Sequence, residues 1–233
     1  MNVLGIETSG PVCSVGLAGP EGVLAEWTVR GQKIHSVRVL PLIEGVLDEA
    51  GLLMPELAGV AVTSGPGSFT GLRIGLTVAK TLAQVLNIPV AGIPSLEALA
   101  YPLCGAGSVW VLVPARKDEV YAALYDCRGE YPVEVFPPAS LDVDRLLETV
   151  CKTKEPACFI GEAAEIYGDL LRRELGDRAR LGPPALNYPR GAVVAGMGRR
   201  RLQDDRGLDA LTLVPDYIRP PAAELVWQKK NRG

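Results

Sequence analysis

The stretch from Val3 to Val29 constrains the fold most tightly. Val3–Thr8 is a short apolar run, Val12–Ala18 alternates loosely, and Val23–Val29 is rich in β-branched and aromatic side chains, the chemistry of strands. The breaks between them, Ser9-Gly10-Pro11 and Gly19-Pro20-Glu21-Gly22, are tight-turn sequences. Connections this short cannot hold a parallel crossover, so the three runs must form an antiparallel meander.

Helices and strands then alternate. Leu40, Ile43, Val46, Leu47 and Ala50 recur at helical spacing and predict a helix over Ser36–Ala50. Gly51 is its stop. Pro41 requires either a late start or a kink. A strand over Leu57–Thr63 runs through the loop Ser64–Thr70 into a helix over Gly71–Leu86, which Asn87 and Pro89 end. A strand over Val90–Ile93 follows, then a helix capped by Ser95 with Leu96, Leu99 and Ala100 inward. A meander followed by strand–helix alternation builds an α/β lobe around a mixed sheet. Ribonuclease-H-like lobes, including those of actin-like ATPases, have this order, an analogy of fold that carries no function alone.

The second half starts again with strands. Val109, Val111 and Val113 alternate, Val120–Tyr125 is a hairpin partner across Arg116-Lys117-Asp118-Glu119, and Val133–Phe136 is a third strand. A helix over Leu141–Val150, a strand over Cys158–Gly161 and a helix over Ala163–Leu175 follow. The same order without sequence self-similarity predicts a duplicated lobe. The expected division is 1–103 and 104–233, within the Pro102-, Gly105- and Gly107-containing stretch Tyr101–Ser108.

Composition removes several classes of function. The 233 residues carry five cysteines, none in a C-x-x-C pair, and one histidine, His35. Reduced, mostly buried thiols are expected rather than disulfides or zinc ligands. A histidine metal pair is impossible, and no G-x-S-x-G elbow accompanies His35. A capping or interface role for it is expected. No apolar run is long enough to span a bilayer, and the N-terminus lacks a basic region, so a cytoplasmic protein is expected. The net charge of −3 does not suit a free-standing nucleic-acid binder. The local clusters Arg199-Arg200-Arg201 and Lys229-Lys230 with Arg232 fit a solvated helix face and a tail.

Two regions invite a functional reading. In SGPGSFTGLRIGLTVAK, Ser64–Lys80, glycines precede a helix N-terminus, where free N–H groups can hold an anion. Ser64, Gly65, Gly67 and Ser68, with Glu7, Thr8 and Ser9 after the first strand, form a possible phosphate loop. In actin-like ATPases an acid at the position of Glu7 helps hold hydrated Mg²⁺. The opposing interpretation is a tight turn satisfied by its own hydroxyls, and physics alone does not separate the two. No P-loop and no G-x-G-x-x-G is present. No second acid with a glycine-rich phosphate loop follows in the second half, which argues against phosphoryl transfer by this chain alone.

The Gly71–Leu86 helix is the second region. Its apolar positions span roughly 200°, about twice the roughly 100° that one core face needs. Leu72, Leu76 and Ala83 lie on one side, Ile74, Val78 and Val85 on the other, with the small row Gly71, Gly75, Ala79, Ala83 between them. The Ser36–Ala50 helix is similarly wide. Either a partner covers this surface or the helix is interior to a large monomer.

Gly5-Ile6-Glu7-Thr8-Ser9, His35-Ser36 with Leu40-Pro41-Leu42-Ile43, and above all Ser64–Lys80 resemble the TsaB (YeaZ) family. Ala115-Arg116, Glu119-Val120-Tyr121, Pro215-Asp216-Tyr217-Ile218-Arg219 and Ala223-Glu224 resemble its later motifs. About Cys127–Leu213 is similar only in outline. The resemblance implies an actin-like, two-lobed α/β fold with mixed sheets and no intact catalytic equipment of its own. It implies a non-catalytic partner in forming threonylcarbamoyladenosine beside the anticodon of tRNAs that read codons beginning with A. A TsaD-like subunit would carry the metal and the transfer, and a TsaE-like ATPase would join. This chain would require no cofactor, with ATP or ADP possible in the complex, and would meet tRNA mainly through the complex. The interface to TsaD, and to a second copy in a homodimer, would lie on the two wide helices: His35, Ser36, Leu40, Ile43, Gly71, Arg73, Ile74, Gly75, Leu76, Val78 and Ala79. Glu7 and Pro114 stand where the family often has Asp, which weakens any nucleotide chemistry. The alternatives are an actin-like ATP-dependent phosphotransferase and a glycoprotein endopeptidase. The missing histidine pair counts against the second.

Overall fold

In a computed structural model, the structure describes residues 1–31, 35–116, 118–152 and 154–218. The meander is β1 (Val3–Glu7), β2 (Val12–Gly19) and β3 (Gly22–Arg30). Helix α1 (Val39–Ala50), strand β4 (Gly59–Gly65), helix α2 (Phe69–Leu86), strand β5 (Val90–Pro94) and helix α3 (Ser95–Ala100) follow. The sheet order is β3-β2-β1-β4-β5, with β1 antiparallel to β2 and parallel to β4. The expected mixed sheet is therefore present.

The second sheet repeats the plan. It holds β6 (Ser108–Pro114), β7 (Glu119–Asp126), β8 (Val133–Asp142), β9 (Ala157–Ile160) and β10 (Ala179–Leu181) in the order β10-β9-β6-β7-β8. Its helices are α4 (Val143–Lys152), α5 (Glu162–Ile166) and α6 (Gly168–Leu175), and α7 (Gly191–Gln203) is the last helix among the described residues. The predicted helix over Ala163–Leu175 is thus two helices that meet at Tyr167. Leu141 belongs to β8, which is longer than its predicted core. β10 is an addition to the predicted elements.

Side chains alternate across each strand, and this sorts the helices. Leu4, Ile6, Val60 and Val62 face α1 and α2, joining Val39, Ile43, Val46, Leu72 and Leu76 in one core. Val3, Ala61, Ala91 and Ile93 point the other way, onto Val194, Met197 and Leu202 of α7. In the second sheet, Trp110, Leu112, Ala122 and Leu124 face α4, α5 and α6. Val109, Val111, Ala123 and Tyr125 face Leu96, Leu99 and Ala100 of α3. The halves therefore exchange helices: α3 covers the second sheet and α7 the first. The Arg201–Glu97 ion pair at 2.8 Å ties these two helices together.

Across the expected division at 103/104, the last helix of the nominal second lobe packs on the first sheet. The approach is close enough to demand glycine. A Cβ on Gly198 would collide with the Ala61 side chain, and one on Gly5 with the Gly191 carbonyl. The α7 N-terminus has no side-chain cap of its own. Instead Gly191 N donates to Ser14 Oγ at 2.9 Å and Ala192 N to Glu26 Oε1 at 2.9 Å, so groups on β2 and β3 satisfy orphan helix donors.

Arg199-Arg200-Arg201 is correspondingly not a free basic face. Arg199 donates to the Met1 carbonyl, Arg200 lies over the Tyr131 ring, and Arg201 holds Gly92 O and Glu97. The Lys229-Lys230-Arg232 cluster and the Arg219 and Ala223-Glu224 motif positions lie outside the described residues.

Candidate functional site: a self-closed loop and an exposed helix pair

The predicted phosphate loop comes together around the C-terminal end of β1, but its groups bind one another. Thr8 Oγ1 donates to Gly71 O at 2.8 Å. Ser9 N and Ser9 Oγ both donate to Glu7 Oε1, at 2.6 and 2.7 Å. Ser68 N donates to Ser9 O at 2.7 Å, and Ser68 Oγ caps α2 by accepting from Gly71 N at 3.2 Å. Asp216 N donates to Ser64 O at 2.7 Å, and a Cβ at Gly65 would strike Asp216 O. The glycines let the chain close on itself here. Thr8 and Ser9 thus donate their hydroxyl protons within the loop, while Ser68 Oγ accepts from Gly71 N, and this geometry is that of a tight turn closed by its own groups.

Glu7 is fully buried. Its Oε2 has no hydrogen-bond partner, and neither does the Thr63 hydroxyl. Burial pushes the Glu7 carboxyl up to about 7, a rise that the Ser9 hydrogen bonds offset only in part. Ser95, expected as a cap, is instead the first residue of α3, and its hydroxyl donates to the Pro66 carbonyl beneath the same loop. Between the loop and the second sheet lies a cleft of about 780 Å³, lined among others by His35, Ser68, Tyr121, Tyr188 and Tyr217. His35 Nε2 donates to the Gly10 carbonyl at 3.0 Å, which ties the chain before α1 to the β1–β2 turn.

The wide helices divide into two faces. His35–Val37 forms a 3₁₀ turn, and α1 starts at Val39, which puts Pro41 in the first turn where no N–H is required. On α2 the inward face is Gly71, Leu72, Gly75, Leu76, Ala79 and Ala83. The small row approaches this chain's own backbone just after β1: a Cβ at Gly71 would meet the Thr8 carbonyl and one at Gly75 the Thr8 hydroxyl. Ile43 of α1 is buried as well. Five of the expected interface residues, Ile43, Gly71, Gly75, Leu76 and Ala79, are therefore internal packing, and the row is no approach path for another subunit.

The outward face is smaller and still apolar. Leu40 is 52% exposed, Ser36 and Arg73 are exposed, and His35, Ile74 and Val78 are half-buried. Val37 and Phe69, not singled out in the sequence, are also exposed. Between α1 and α2 a groove of about 490 Å³ is lined by Leu40, Phe69, Arg73, Ile74 and Val78, among others. The segment after α7 straps back along α2: Lys80 Nζ donates to Leu213 O at 2.9 Å, and the Tyr217 ring stacks on Phe69 at 5.3 Å. Phe69 and Tyr217 sit inside motifs legible in the sequence, but nothing local pairs positions so far apart.

Comparison with known proteins decides the family. A family model described as "TsaD: tRNA N6-adenosine threonylcarbamoyltransferase" matches residues 22–227. The tRNA threonylcarbamoyladenosine biosynthesis protein TsaB of Bacillus subtilis (strain 168) is 32% identical over the full length of both chains. The chain belongs to the TsaB family. The TsaB of Escherichia coli (strain K12) is 34% identical across 54% of this chain and 55% of its own. A Pseudomonas aeruginosa protein described as similar to peptidase YEAZ superposes with a TM-score of 0.80 at 26% identity, covering 94% of this chain and 99% of that one. A ROK hexokinase from Thermus thermophilus, at 12% identity and a TM-score of 0.51, shares the actin-like ATPase fold alone.

Proposed function

We propose that this TsaB-family chain is a non-catalytic partner subunit in the formation of threonylcarbamoyladenosine in tRNA. It binds a TsaD-type subunit, which performs the transfer, through the outer faces of α1 and α2. Family membership supports the pathway. One structural observation supports the surface: Leu40 and Phe69 are exposed beside Ile74 and Val78, which are half-buried at the edge of the core, so an apolar strip remains open on this side of the helices. A second copy of the chain would use the same face, so homodimer and heterodimer would compete. A TsaE-type ATPase joins the complex, ATP or ADP enters with the partners, and tRNA is held mainly by the assembly, in the cytoplasm. Among the described residues no helix is long and apolar enough to cross a membrane. The comparisons give no support to the phosphotransferase and endopeptidase alternatives over this role.

Reconstitution tests the proposal. The pure chain should leave an unmodified tRNA substrate unchanged, and it should restore modification when added to TsaD- and TsaE-type subunits supplied with the threonylcarbamoyl donor. Modification by the pure chain alone, or full modification by the other subunits without it, would refute the role.

A further inference from the structure

The groove on the outward face is lined by apolar and hydroxyl side chains and by one charged residue, Arg73. Arg73 Cζ lies 4.0 Å from the centre of the Phe69 ring, and Arg73 Nε donates to Tyr217 Oη at 3.2 Å. The Phe69 and Tyr217 rings stack with an interplanar angle of 28°. One face and one N–H of the guanidinium are thereby fixed by groups from α2 and from the strap behind it. Among the described residues no ion pair neutralises it, and α2 contains no Asp or Glu. Leu40, Ile74 and Val78 surround it in the groove.

A surface that covers this strip strips water from the guanidinium. A buried unpaired charge is expensive, and the fork-shaped donors that Phe69 and Tyr217 leave free match a carboxylate two N–H groups at a time. Pre-orientation by an aromatic face lowers the entropy lost on pairing, and arginine in such settings is a frequent hot spot. We propose that Arg73 is the specificity-determining residue of this face and that the surface of the TsaD-type subunit covering it presents a carboxylate amid apolar side chains. The inference rests on the assignment of this face to a TsaD-type subunit.

The test measures the dissociation constant of the full chain with its TsaD-type subunit at low and high salt, by calorimetry. Arg73→Gln should weaken binding at least about tenfold at low salt and flatten the salt dependence, since it removes a charge-assisted pair. Arg73→Lys should keep the salt dependence while still losing affinity, because an ammonium cannot stack and fork as a guanidinium does. Both variants should keep the wild-type circular dichroism, as Arg73 is exposed. Unchanged affinity for Arg73→Gln, or a loss with unchanged salt dependence, overturns the inference. So does a loss confined to self-association, which would assign the carboxylate to the exposed Glu44 or Asp48 of a second copy. If wild type fails to bind the TsaD-type subunit, the proposed function itself falls. If Ile74→Glu abolishes binding but Arg73→Gln does not alter it, only the role of Arg73 falls.

Discussion

Glu7 should make the protein less stable as pH rises from acid to neutral. Its carboxyl titrates near 7 in the folded chain against an ordinary value of 4.5, because burial disfavours the charge. The folded state thus holds a proton that the unfolded chain has released, and the stability this confers is complete below pH 4.5 and lost as pH rises through 7. Between pH 5 and pH 8 the cost is on the order of 2–3 kcal/mol, since one pH unit of difference corresponds to about 1.4 kcal/mol. Glu7→Gln keeps an oxygen to accept from Ser9 N and Ser9 Oγ and offers an amide donor beside the unpartnered Thr63 hydroxyl, without titrating. Urea unfolding of both proteins across this range isolates the effect, since other titrations cancel in the difference. The variant should match wild type at pH 5 within about 1 kcal/mol and exceed it by about 2–3 kcal/mol at pH 8. A stability difference that does not change with pH would refute the argument and show Glu7 to be ionised in the fold.

The exchanged helix makes two further predictions. Gly198→Val should destabilise the chain by about 1–3 kcal/mol or more in thermal unfolding, because the added side chain has only Ala61 to enter; an unchanged Tm would contradict the close approach. Arg201→Met should cost about 1–3 kcal/mol by breaking a partly buried ion pair and a hydrogen bond to Gly92 O, while the more loosely held Arg200→Met should cost under about 1 kcal/mol. Equal effects in denaturant titrations would remove the distinction.

The parts of the fold carried by local patterns were legible. The meander turns, the helical spacing of Leu40, Ile43 and Val46, and the alternation of Val109, Val111 and Val113 report burial within one element, and the sheets follow them. α7 was not legible, because its N-terminus is capped by Ser14 and Glu26 from the opposite end of the chain and its glycines answer to strands β1, β2 and β4. Its arginines read as surface charge when their partners are Met1 O, Gly92 O, Glu97 and Tyr131. At the candidate site the width of the apolar arc on α2 was visible. Its division into a core side and an outer side was not, since Leu76 and Ile74 are equally apolar and only the position of the first sheet tells them apart. The loop's hydroxyls were visible too, but whether they served a ligand or each other depended on how closely Gly67 and Gly71 could approach Ser9 and Thr8.

The paired substitution of those two residues tests the central claim most directly. Leu76 is 4% exposed within the first core, whereas Ile74 is half-buried and lines the outer groove. Leu76→Glu places an unpaired charge in the core and should unfold the protein or cost several kcal/mol. Ile74→Glu should leave the circular dichroism and Tm close to wild type but abolish co-elution with the TsaD-type subunit in size-exclusion chromatography. A folded Ile74→Glu variant that binds the TsaD-type subunit as tightly as wild type would contradict the claim that the outer face of α1 and α2 is where this subunit meets its partner.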